Sequence, residues 1–179
     1  LTARSLSVTK QVFGEDHVMF AAALSHMANA HGNLGNYQQQ VELAQQSLRI
    51  KEREFGEDHV ALVAPLSSLA NGQCELGKFE GARDTAERTL AIVEREFGKD
   101  HIMVAGAMCC LANAVGALGD CKQKQVLLQR ALEIGEREFG QDHIDVALTR
   151  RACGSALAEN GNTQGAIVLL QRALHVQEQ

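Results

Sequence analysis

The sequence has no tryptophan, one proline, seven aromatic residues, and 17 lysines and arginines against 22 acidic residues. Each shortage excludes something. Phosphate backbones are gripped by clustered Lys and Arg. No such cluster occurs here, so nucleic acid is not an expected partner. Six Phe and Tyr37 are few for a base-stacking platform. No run approaches the roughly 18–20 apolar residues of a membrane helix, so no membrane partner is expected. The five cysteines, Cys74, Cys109, Cys110, Cys121 and Cys153, are odd in number and form no CxxC pair. Free thiols in a reducing, cytoplasmic setting follow as the expectation. The vicinal Cys109–Cys110 pair is expected to be two small helix residues, one packed and one facing outward. The 45% apolar and 22% charged content excludes disorder on composition.

Glycine is plentiful and ordered. Eight of the 16 glycines stand 21 residues apart: Gly14, Gly35, Gly56, Gly77, Gly98, Gly119, Gly140 and Gly161. A sustained 42-residue period marks a repeat array rather than one globular core. The marker Phe-Gly-x-Asp-His recurs at Phe13–His17, Phe55–His59, Phe97–His101 and Phe139–His143. Leu69-Ala70-Asn71 and Leu111-Ala112-Asn113 share a second marker, with Met27-Ala28-Asn29 in the first copy.

Each period predicts two helices. The first is expected to start just after Asp16, Asp58, Asp100 or Asp142, with the aspartate as N-cap. Phe20, Leu24, Met27, His31 and Leu34 recur at steps of three and four, so one face is buried. Gly35 and its equivalents end the first helix, and Gly56 and its equivalents the second. The expected segments are a second helix over 1–12, then four hairpins at 16–54, 58–96, 100–138 and 142–178, forming one array. The register opens in mid-repeat, so the chain reads as a piece of a longer solenoid. The charged runs Lys51–Glu54, Glu94–Glu96 and Glu136–Glu138 are expected to be solvated helix ends. Pro65 lies inside a predicted first helix, where it removes a backbone donor. A bend or a broken bond is expected near Ala61.

The sequence resembles the tetratricopeptide repeat in its 42-residue form, as found in kinesin light chains. The likeness rests on the Asp-His-hydrophobic starts and the Leu-Ala step. It also rests on Leu34-Gly35-Asn36-Tyr37 and Leu76-Gly77-Lys78-Phe79 at the turn, and on Arg130-Ala131-Leu132 and Arg172-Ala173-Leu174 in the second helix. The small residue of the family pattern early in the second helix is Ala82 and Ala166, but Gln40 and Lys124 replace it in the other two copies. The resemblance implies an all-α fold: a right-handed superhelical α-solenoid of stacked antiparallel helix hairpins. The first helices would line a concave groove that takes a peptide or a partner helix.

The first helices carry a small, mostly neutral stripe opposite their apolar face. It runs through Ala22, His26, Asn29 and Asn33, then Ala64, Ser68, Asn71 and Glu75. It continues through Gly106, Cys110, Asn113 and Ala117, and then Leu148, Ala152, Ser155 and Glu159. Amide side chains at Asn29, Asn71 and Asn113 offer both a donor and an acceptor, which suits an extended peptide backbone. The candidate peptide-binding residues are Ser25, His26, Asn29, Asn33, Ser68, Asn71, Cys110, Asn113, Arg151 and Ser155. The bland alternative is local bonding or solvent exposure. Groove Lys and Arg of the kind that grip chaperone tails are missing; only Arg151, with Arg150 nearby, adds charge.

No nucleophile–base–acid set and no Gly-rich phosphate loop occurs, so no enzyme activity and no cofactor is expected. His17, His59, His101 and His143 repeat too far apart for one metal ion, because packed helices stand about 8–10 Å apart. Two functions remain. One is a non-catalytic interaction module, an adaptor or scaffold. The other is the sensor or self-assembly array of a larger multidomain protein, one with a nucleotide switch, associating end to end through its truncated ends. The last helix would then expose part of its apolar face.

Overall fold

The computed structural model describes residues 2–177, with side chains over 6–176. Residues 1 and 178, at the ends of two expected segments, lie outside the described residues. Among the described residues there are nine α-helices and no strand. They are α1 (Thr2–Phe13), α2 (Val18–Asn33), α3 (Tyr37–Phe55), α4 (Val63–Glu75), α5 (Phe79–Phe97), α6 (Ile102–Ala117), α7 (Cys121–Phe139), α8 (Ile144–Glu159) and α9 (Thr163–Gln177). The chain divides into two compact units, Leu1–Ile92 and Val93–Gln179. In the first, α1, α2, α3 and α4 pack in chain order, and α2 also touches α4. In the second, α6, α7, α8 and α9 pack in chain order.

All eight ladder glycines have positive φ, and no other residue does among those described. They do two different jobs. Gly35 closes α2: its N–H reaches the Gly32 carbonyl at 3.0 Å, and the Asn36 N–H reaches that of His31 at 2.9 Å. This paired bond satisfies two orphan carbonyls of the last turn. The same pair recurs at Gly77, Gly119 and Gly161. Gly56 instead leaves α3 at φ 85°, ψ 170°, a region open essentially to glycine alone.

The helix starts differ from the expected ones. The N-caps are His17, His59, His101 and His143, not the aspartates before them. Each imidazole Nδ1 accepts the N–H two residues on, at 3.1–3.2 Å. Each ring also stacks on the phenylalanine four residues back, with centroids 4.5–4.9 Å apart. Asp16 and Asp100 are taken by distant arginines. Arg53, at the end of α3, donates to the Asp16 carboxylate at 2.8 Å and to its carbonyl at 2.9 Å. Arg130 and Arg137 hold Asp100.

Pro65 breaks its helix as expected. The segment begins with a 3₁₀ turn, Val60–Leu62, before α4 proper. The equivalent α2, α6 and α8 start directly as α-helix after their histidines. Pro65 has no N–H for the Ala61 carbonyl. Lys51 Nζ reaches across from α3 and donates to that carbonyl at 3.0 Å.

The charged helix ends are therefore not merely solvated. Lys51 makes the bond just described. Glu52 Oε1 pairs with Arg88 at 2.7 Å. Glu136 Oε1 pairs with Arg150 at 2.6 Å, and the Arg150 side chain is 4% exposed.

Candidate functional site

In the first unit the open face belongs to α2 and α4. Their other faces are tied down by Phe20, Leu24, Leu66 and Leu69, all buried. In the second unit α6 and α8 play the same part, with Leu111, Leu128, Leu132 and Val146 beneath them. The helical period then leaves one residue in every three or four outward.

Of the expected binding residues, His26, Asn29, Asn33 and Asn71 are exposed in the first unit. Asn113, Arg151 and Ser155 are exposed in the second, and Cys110 is half-buried there. Among the described residues, Asn29, Asn71 and Asn113 have no side-chain hydrogen-bond partner in the fold. Their amides are open to a ligand or to water.

Two of the expected residues are not on this face. Ser25 is buried, and its Oγ lies 2.7 Å from Ser47 Oγ, which in turn donates to the Ala21 carbonyl at 2.6 Å. Ser68 is buried under Gln40, whose Nε2 donates to the Ser68 carbonyl at 3.0 Å. Both serines tie helices together instead of facing outward. Arg150 is likewise withdrawn. It fills the position of Leu24, Leu66 and Met108, and donates to the Gln141 carbonyl as well as to Glu136. Arg151 is thus the cation this face of α8 presents.

The sequence pattern passed over some of what surrounds the stripe. Met19, Met103 and Ile144 are exposed large apolar residues on or beside it, in addition to Leu148 of the stripe itself. They give the open faces apolar contacts beside the amides. A cavity of about 270 Å³ also lies between α6, α7 and α8. It includes Gly106 of the stripe and the Cys109 thiol, whose pKa burial raises. None of the five cysteines is in a disulfide. Burial raises Cys153 further, to about 12. Both thiols therefore stay protonated at neutral pH and act as small apolar groups. Among the described residues no group of three or more His, Cys, Asp or Glu is placed to hold a metal. None of the helices is long and apolar enough to cross a membrane.

Stacked antiparallel helix hairpins with a small-residue open face define an α-solenoid repeat protein. The family model of the tetratricopeptide repeat matches residues 19–95 and 103–179, and the chain belongs to that family. No curated protein matches. Among solved structures, BtubC (BKLC) from P. vanneervenii is similar, with TM-score 0.78 and 23% identity; the match covers 89% of this chain and 64% of that one. A kinesin light chain-like protein of Podosopora anserina with nearly identical TPR-like repeats gives TM-score 0.75 and 22% identity, covering 98% and 83%. MamA from Desulfovibrio magneticus RS-1 gives 0.64 and 12%, covering 99% and 93%. At these identities the likeness is one of fold.

Proposed function

We propose that the chain is a non-catalytic, cytoplasmic protein-interaction module that holds an extended peptide or partner segment on the open faces of its first helices. It would serve as an adaptor or scaffold. The observation that supports this is the set Asn29, Asn71 and Asn113: exposed, in equivalent places, and without a partner in the fold. An amide there can donate to a peptide carbonyl and accept from a peptide N–H. His26, Asn33, Cys110, Arg151 and Ser155 flank them, and Met19, Met103 and Leu148 add apolar contact. Family membership agrees, since tetratricopeptide repeats commonly bind protein or peptide partners. The test is binding of a peptide selected against the protein, measured before and after all three asparagines become alanine. Weaker binding with unchanged helicity is the expected result.

A second reading has its own observation. On α9, Leu170 is 37% exposed and Leu174 is 54% exposed, whereas their equivalents Leu128 and Leu132 are 1% and 4%. An apolar face of this kind suits stacking of another hairpin or another copy, as a sensor or self-assembly array requires. Light scattering on the full protein tests it. A strictly monomeric species at all concentrations speaks against self-association.

A further inference from the structure

The repeat makes two junctions directly comparable, one inside each unit. Between the first two hairpins, Lys51 of α3 spans to the Ala61 carbonyl at 3.0 Å, and α2, α3 and α4 carry Ser25, Ser47 and Pro65, all buried. Eighty-four residues on, the same positions are Gly135, Asp145, Cys109, Ala131 and Thr149. All five line the cavity of about 270 Å³ between α6, α7 and α8. Where one junction has a lysine side chain, the other has a glycine and a void.

The void is not forced by close contacts. A methyl group on Gly106 would meet nothing within 4 Å, and one on Gly135 would meet only Val146, at an ordinary 3.5 Å. Glycine weakens a helix interior relative to alanine, so neither glycine is explained by folding. The cavity walls are apolar, from Ile102, Leu132 and Val146. Asp145 is among the lining residues, and its carboxylate is 66% exposed and 3.6 Å from His143 Nδ1. The Asp145 carbonyl already accepts from Thr149 Oγ1 at 3.0 Å, and the carboxylate is the anionic acceptor among the lining residues. The volume is below the roughly 300–1,000 Å³ of a drug-sized site and suits a short chain.

We propose that this cavity binds a primary alkylammonium group, the chemistry that Lys51 supplies from within the chain at the equivalent junction. The methylenes would lie against Ile102, Leu132 and Val146, as the ~four-carbon stem of a lysine does along apolar surface. The ammonium would meet Asp145. Two sources carry this chemistry: a lysine side chain of a bound protein, and a free small amine. The cavity shares Gly106 with the stripe but none of its asparagines, and the proposal does not depend on the peptide reading.

The test is titration of the ¹⁵N-labelled protein with n-butylammonium, with 1-butanol as the neutral control. Saturable shifts of the Gly106 and Gly135 amide signals are expected with the amine and not with the alcohol. Gly135→Lys, which installs the internal plug, should abolish them. Gly106→Leu, which places at 106 the residue found at the equivalent Leu148, should do the same, and serves if Gly135→Lys fails to fold. Asp145→Asn should weaken binding about two- to fivefold, the range of a partly exposed ion pair. N-acetyl-lysine methylamide and 1,4-diaminobutane form the two further arms. Binding of the first assigns the site to lysine side chains, and binding of the second alone assigns it to free amines. Absence of saturable shifts, an equal response to 1-butanol, or unchanged binding in the plugged variants would overturn the proposal.

Discussion

Gly32 on α2 and Gln40 on α3 are fitted to each other: a methyl group at residue 32 would stand 2.5 Å from Gln40 Oε1. Gln40 is buried and fixed by its bond to Ser68, so it has little room to yield. The relation recurs in altered form along the chain. Gly116 faces Lys124, whose Cδ would lie 2.5 Å from such a methyl, and Lys124 Nζ goes on to both oxygens of Glu159 at 2.8 and 2.7 Å. Where the second helix carries Ala82 or Ala166, the same first-helix position holds Cys74 or Ala158. A long side chain on the second helix thus goes with a glycine on the first, while alanine on the second helix goes with a cysteine or alanine on the first, as close-packed interiors require.

A reversal of sign follows. Gly32→Ala should destabilise the protein by about 1–2 kcal/mol through overpacking. In a Gln40→Ala background the same change should stabilise it by about 0.5–1 kcal/mol, the helix preference of alanine over glycine. Denaturation midpoints of the four proteins in this cycle check it. Additive effects would refute the fit.

Lys51 and Pro65 should couple in the same manner. Lys51→Met strands the Ala61 carbonyl and should cost about 1–2 kcal/mol. In a Pro65→Ala protein, residue 65 regains its N–H, so the cost should largely vanish. Burial also lowers the pKa of the Lys51 ammonium. The folded protein then releases this proton before the unfolded chain does. Stability therefore rises with pH through the window just below the ordinary lysine value. Thermal melts across that window should lose this slope in Lys51→Met.

The histidine caps can be separated into their two parts. His101→Asn keeps an N-cap acceptor and loses the stack on Phe97; it should cost about 0.5–1 kcal/mol. His101→Ala loses both and should cost about 1–2 kcal/mol. Equal losses in denaturant unfolding would mean that the ring adds nothing beyond its acceptor.

Arg150 tests whether a buried ion pair helps the fold. Arg150→Ala leaves Glu136 unpaired beside a cavity and should cost about 3 kcal/mol. Arg150→Leu restores the residue found at Leu24 and Leu66, and should be neutral or better than Ala by about 1–3 kcal/mol. Chemical denaturation of both variants decides it.

The spacing of Gly and Phe-Gly-x-Asp-His carried most of this fold, because each ladder glycine answers a local backbone demand. The helix caps were less legible. Asp and His stand side by side, and local preference favours Asp. The choice was made by Arg53, 37 residues from Asp16, and by the ring of Phe13. The break at Pro65 was legible, but its repair by Lys51 was not, since nothing local ties residue 51 to residue 61. Ser25 and Ser68 lie next to or on the open stripe in helical register. Their burial comes from Ser47 and Gln40, both on α3. Arg150 had a readable signal, because it replaces Leu and Met at a core position of every other copy.

The central claim is that the open faces of the first helices bind an extended peptide through their asparagines. Its most direct test is hydrogen exchange of the protein with a display-selected peptide, wild type against Asn29→Ala/Asn71→Ala/Asn113→Ala. The account predicts peptide-dependent protection confined to α2, α4, α6 and α8, and binding about tenfold or more weaker in the triple variant, as the loss of several hydrogen bonds implies. Protection on the second helices alone, or equal binding by the triple variant, would contradict it.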